Sequence, residues 1–322
     1  MSMLLQIQSQ IDQANLRIVE IERALAEYPG LPSVSANLES VVRWRSNLES
    51  QFLDAAALNG VEICKYRAFN SNNERTNAGA AFGAISGFQR LFSVVFGSLK
   101  YKKKQQARVD SELGKETAFG FAYGFTGSVG VVLTIPTDSD LFGESYLDDA
   151  MSTIFAMAKA EDPKVIQSFA DTLGPGAINA LYQWASENAE HGLGADVEWR
   201  HGKEVKGSLF IQRQQLSKLR TAIEQVSSDT TETKLIEGLL TGVLLGSRKF
   251  RLSPDNMPEI RGTFELGAID AKHKVAIPVR YIAKINVTTT MHFAIGKKRT
   301  RYHLLKLNDV PPKEGKNAGK EA

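Results

Sequence analysis

The sequence predicts an α+β protein in three parts: an N-terminal antiparallel helical hairpin, a central α+β domain and a C-terminal small β-barrel of OB-like or SH3-like type. Three observations predict it. Apolar residues recur at heptad spacing from Leu4 to Tyr28. Helical and alternating patterns interleave through the middle of the chain. Beyond residue 232 almost every apolar run alternates like a strand. The expected boundaries are 1–59 for the hairpin, 60–228 for the α+β domain, 232–308 for the barrel and 309–322 for a disordered tail.

The first helix carries Leu4, Ile7, Ile11, Ala14, Ile18, Ile21, Leu25 and Tyr28, spaced three and four apart without a slip. That 3.5-residue repeat keeps one seam facing a partner helix. Tyr28-Pro29-Gly30-Leu31-Pro32 then breaks the helix, because proline and glycine cannot continue it. Ser33 is a suitable cap for a second helix. Its apolar positions are Val34, Leu38, Val41, Leu48, Phe52 and Ala55, interrupted by Arg45 and stopped at Asn59-Gly60. The seam of Leu4, Ile7, Ile11, Ile18, Ile21 and Leu25 is the candidate surface for self-association. It packs either on its own neighbour or between two hairpins as a four-helix dimer.

Val61 to Arg67 alternates like a half-buried strand. Ala78 to Leu99 is apolar at helical spacing and runs into Lys100-Tyr101-Lys102-Lys103-Lys104. It reads as a buried helix. A membrane-surface helix anchored by its lysines, Ala78 to Lys104, is the alternative; Gln89 and Arg90 argue against a span. Phe119, Phe121, Tyr123 and Phe125 alternate, as do Val129, Val131, Leu133 and Ile135, which predicts a β-hairpin with an aromatic face. Three helices are expected next: Leu147 to Ala160, one opened by Pro163, and Ala177 to Glu190. A strand through Val197, Trp199 and His201 and a helix from Arg213 to Val226 complete the domain. Ser227 to Glu232 reads as a polar linker. Five strand-like runs follow, at Leu235–Leu245, Lys249–Leu252, Glu259–Phe264, Ile277–Val287 and Tyr302–Leu307. Their number and the long gap after the third suggest the small barrel.

Chemistry-bearing motifs are few. Cys64 is the only cysteine, so no intrachain disulfide forms, which fits a reducing, cytoplasmic compartment. The N-terminus lacks the basic and apolar regions of a signal peptide. Cys64 has no histidine in local reach and reads as a packing residue. Gly127 and Ser128 do not make Gly-x-Ser-x-Gly, and a strand rather than a helix follows them. Gly120, Gly124, Gly127 and Gly130 make no phosphate-loop spacing. His292 and His303 would face each other if the last hairpin turns at Gly296–Arg299, but a third metal ligand is missing. Asp138, Asp140, Glu144, Asp148 and Asp149 lie where a helix starts and favour its dipole. No cofactor, no metal and no catalytic residue is expected.

Charge supplies the clearest partner signal. From Glu232 onward 17 Lys and Arg stand against 9 Asp and Glu, a net of +8 in a chain of net +3. Arg248, Lys249, Arg251, Arg261, Lys297, Lys298, Arg299 and Arg301 are the candidate anion-binding or nucleic-acid-binding residues of the barrel. The expected function is non-catalytic. The chain reads as an interaction or adaptor protein that self-associates through the coiled-coil hairpin, with nucleic-acid binding by the basic barrel as the alternative.

Overall fold

The computed structural model describes residues 2–29, 31–70, 76–102, 109–125, 129–137, 145–265, 267–269, 276–292 and 297–310. The protein is α+β, with an N-terminal helical pair and a closed C-terminal barrel, and it divides near Ser227 into two compact units.

In the first unit α1 (Ser2–Glu27) and α2 (Pro32–Leu58) form the helical pair. Pro32 opens α2 directly, because proline at the first helical position loses no intrahelical bond; Ser33 lies one residue inside the helix rather than capping it. After the pair come β1 (Val61–Asn70), α3 (Ala78–Tyr101), α4 (Ser111–Glu116), β2 (Gly120–Phe125) and β3 (Val129–Pro136). Next are α5 (Tyr146–Ala158), α6 (Pro163–Leu173), α7 (Pro175–Glu190), β4 (Leu193–His201), β5 (Glu204–Ile211) and α8 (Arg213–Glu224). The strands make one antiparallel sheet in the order β2-β3-β1-β4-β5.

Alternation along β1 sends its side chains to two different cores. Ile63 joins Ala122, Tyr123 and Val132 in a core closed by Leu4, Ile7, Ile11, Ala14 and Ile18 of α1 and Leu48 and Phe52 of α2. On the opposite face Tyr66 meets Phe88 of α3 at 5.2 Å between ring centroids, and accepts a 3.1 Å hydrogen bond from Trp184 Nε1 of α7. Residues 1–59, which the sequence set apart, therefore share a core with the sheet. Ile21 packs at the margin of that core and Leu25 is half-buried.

Two local features differ from the sequence reading, whereas helix α3 is buried as that reading expects. A bulge between Phe121 and Tyr123 breaks the aromatic alternation of β2, so Phe121 is exposed and Tyr123 is buried. Edge strand β5 was not foreseen, because only Leu209 and Ile211 along it are buried. Helix α3 is the one described helix long and apolar enough to cross a membrane, yet Phe88, Leu91, Phe92, Val95 and Phe96 are fully buried within the unit. Lys103 and Lys104 lie outside the described residues.

The second unit holds β6 (Ser227–Leu244), β7 (Lys249–Ser253), β8 (Ile260–Phe264), β9 (Val279–His292) and β10 (Lys297–Asp309), closed in the order β10-β8-β7-β6-β9. Leu240, Phe250, Leu252, Ile260, Ala283, Ile285 and Leu304 fill its interior. Ser227–Glu232 is no linker. It forms the start of β6, with Thr230 opposite Thr289 and Thr231 opposite Thr288, because β-branched threonines suit a pleated ladder. The strand β10 runs to Asp309, past the expected end of the barrel, and 311–322 lie outside the described residues. The last connection spans 293–296, so His292 pairs with Lys297 and His303 with Asn286. His292 and His303 are therefore not register partners, and Phe293 and Ile295 lie outside the described residues.

Candidate anion-binding face

Phe250 and Leu252 point into the barrel, so Lys249 and Arg251, which alternate with them, point out. On β8 the same alternation turns Ile260 and Phe264 inward and Arg261 and Thr263 outward. The β7–β8 register sets Arg251 directly opposite Arg261 and Lys249 opposite Thr263.

Strand β10 lies parallel to β8 on its other side, with His303 beside Thr263 and Leu304 beside Phe264. Thr263 Oγ1 and His303 Nδ1 are 2.9 Å apart, which fixes both side chains on the outer face. Two residues earlier on these strands lie Arg301 and Arg261, both exposed. Gly262 is needed there, because a Cβ would overlap the Tyr302 carbonyl oxygen. Arg251 and Arg261 are thus opposed on the outer face, and Lys249 on β7 and Arg299 and Arg301 on the neighbouring β10 are exposed as well, a row of cations across three adjacent strands.

Like charges in a row repel, and counter-charge is sparse. Arg261 donates from Nε and Nη2 to Glu259 Oε2 at 3.1 and 2.8 Å. Lys249, Arg251, Arg299 and Arg301 make no ion pair among the described residues. Beside the row lies a surface depression of about 680 Å³, whose lining includes Gly242, Leu244, Lys249, Arg251, Arg261 and Thr263. Unpaired guanidinium groups such as those of Arg251, Arg299 and Arg301 are suited to phosphate oxygens, which accept their N–H donors in pairs.

Five of the sequence-predicted cations, Lys249, Arg251, Arg261, Arg299 and Arg301, therefore share the face. Arg248 lies in the β6–β7 turn in a left-handed conformation, φ 51°, and its carbonyl accepts from Phe264 N–H at 3.1 Å. Lys297 and Lys298 belong to β10 by backbone, and their side chains lie outside the described residues. Of the other predicted set, Leu4, Ile7, Ile11 and Ile18 lie in the first unit's core, Ile21 packs at its margin and Leu25 is half-buried.

One polar cluster in the first unit escaped the sequence reading. Glu62 is 2% exposed at the end of β1. Its Oε1 is 3.1 Å from His201 Nδ1 and 3.2 Å from Lys206 Nζ, while its Oε2 has no hydrogen-bond partner. Lys206 also reaches Asp148 Oδ2 at 2.7 Å, and Asp148 Oδ1 accepts from Trp199 Nε1 at 2.5 Å. Burial works against the Lys206 ammonium, but the Asp148 hydrogen bond and the Glu62 charge outweigh it and raise its pKa. The cluster ties β1, β4 and β5 to the first turn of α5. A signal was available: Glu62 shares its strand face with the buried Cys64 and Tyr66.

No protein-family model matches the chain, no curated protein is significantly similar to it, and no solved structure matches its fold.

Proposed function

We propose that this chain is a non-catalytic binding protein that docks its C-terminal barrel on nucleic acid. The row of Arg251, Arg261 and Arg301, flanked by Lys249 and Arg299, carries the reading. We infer also that the barrel is OB-like. In support, the first strand β6 pairs with the fourth, β9, and the third, β8, runs parallel to the fifth, β10. In such barrels the face of the second and third strands, with the loops joining strands one to two and four to five, holds oligonucleotides. Here the second and third strands bear Lys249, Arg251 and Arg261.

The test is fluorescence anisotropy of the full chain with a labelled 20-mer nucleic acid. With about four phosphates neutralised, affinity should fall about a hundredfold between 50 and 200 mM salt. The combined Arg251→Ala, Arg261→Ala and Arg301→Ala variant should lose most binding while keeping its circular-dichroism spectrum. Absent or salt-insensitive binding ends the proposal.

Self-association is a second reading, carried by different residues from the heptad. Leu5, Leu16 and Val19 are 63%, 67% and 53% exposed and lie along one outer stripe of α1. Light scattering should give a dimer that Leu16→Glu converts to a monomer. A monomeric parent chain removes this reading.

A further inference from the structure

We infer that the nucleic acid this barrel takes is double-stranded, held by its phosphates with the bases unread. The inference rests on the nucleic-acid reading above and narrows it. Single strands are commonly gripped by stacking bases on exposed aromatic rings. Among the described residues this barrel offers no such platform. Phe250, Phe264 and Tyr281 are 1%, 4% and 7% exposed inside the core, and Tyr302 packs against that core.

The polar neighbours of the arginine row are also committed. Thr263 bonds His303, Thr233 bonds Asn286 and Thr231 bonds Thr288, each between strands on the outer face. Side chains tied to one another across a sheet are not free to enter a groove and read base edges. Lys249, Arg251, Arg299 and Arg301 remain as outer-face cations without an ion pair among the described residues.

Spacing favours two strands of nucleic acid over one. The three neighbouring strands that carry the arginines span about 10 Å between backbones, two inter-strand spacings, and the long side chains extend that reach. A major groove is about 12 Å wide, so Arg251 and Arg301 at the ends of the row can each meet a phosphate on opposite rims. A single strand has only one rim, and half the charge per unit length.

The experiment compares three probes on the full chain at one salt concentration. They are a 20-base-pair DNA duplex, a duplex of the same composition with permuted sequence, and one isolated strand of the first. The duplex should bind at least tenfold tighter than the strand, and permuting its sequence should change affinity less than twofold. Arg251→Ala and Arg301→Ala should each reduce the slope of log affinity against log salt by about 1. Tighter binding of the strand, or a tenfold dependence on sequence, overturns this inference and leaves nucleic-acid binding standing. Failure of all three probes overturns both.

Discussion

Glu62 is the residue with most at stake in the first unit. A buried carboxylate with one unpartnered oxygen depends on the cation beside it, here Lys206. Lys206→Met should destabilise the chain by about 2 kcal/mol in urea unfolding, and adding Glu62→Gln should recover part of that loss. The pH dependence has a definite sign. The folded pKa of Lys206 is raised above the unfolded value near 10.5, so its contribution is complete below that pH. It fades as pH rises through the folded pKa, so the stability gap between parent and Lys206→Met should narrow in alkaline solution. Cys64 makes a contrasting case. Burial in the sheet pushes its thiol pKa up, which suppresses the reactive thiolate. A thiol reagent should leave Cys64 unmodified in the native chain and label it once the protein is unfolded in guanidinium. A gradual native-state reaction would mean that the sheet opens locally.

The helical pair acts as one wall of the first unit's core. Phe52 lies edge-on to Tyr123, ring centroids 5.3 Å apart, so Phe52→Ala should cost about 3–5 kcal/mol by thermal or chemical unfolding. Removing 1–59 should uncover Ile63, Tyr123 and Val132 and produce a chain that binds a hydrophobic dye and unfolds without cooperativity. A well-folded truncated chain would show that the sheet stands without α1 and α2. The heptad was legible as a helix because its period is a property of the sequence alone. Its target was not, since a sheet face and a second helix offer the same apolar surface. Polar edge strand β5 stayed hidden for a related reason: little along it is buried, so no alternation marks it; the start of β6 stayed hidden because its sequence, Ser227 to Glu232, has no apolar residue to alternate. The basic residues of the barrel were legible one by one. Their row was not, because it depends on β10 lying beside β8, a register set by chain closure.

Across the whole molecule charge is uneven: +8 from Glu232 onward against −5 before it. A modest total of +3 therefore understates how strongly the barrel attracts a polyanion. The chain should be retained on heparin, and the triple arginine variant should elute at clearly lower salt; equal elution would place the attraction elsewhere. The strand order of the first sheet bears on a different stage of the protein's life. Central strand β1 pairs with β4, and Glu62 and its neighbour His201 are 139 residues apart in sequence. At about 5–20 residues per second, the ribosome completes β1 on the order of ten seconds before it delivers β4. Throughout that interval one edge of the central strand β1 lacks its partner. Synthesis of this protein thus carries a built-in window in which a chaperone can bind β1.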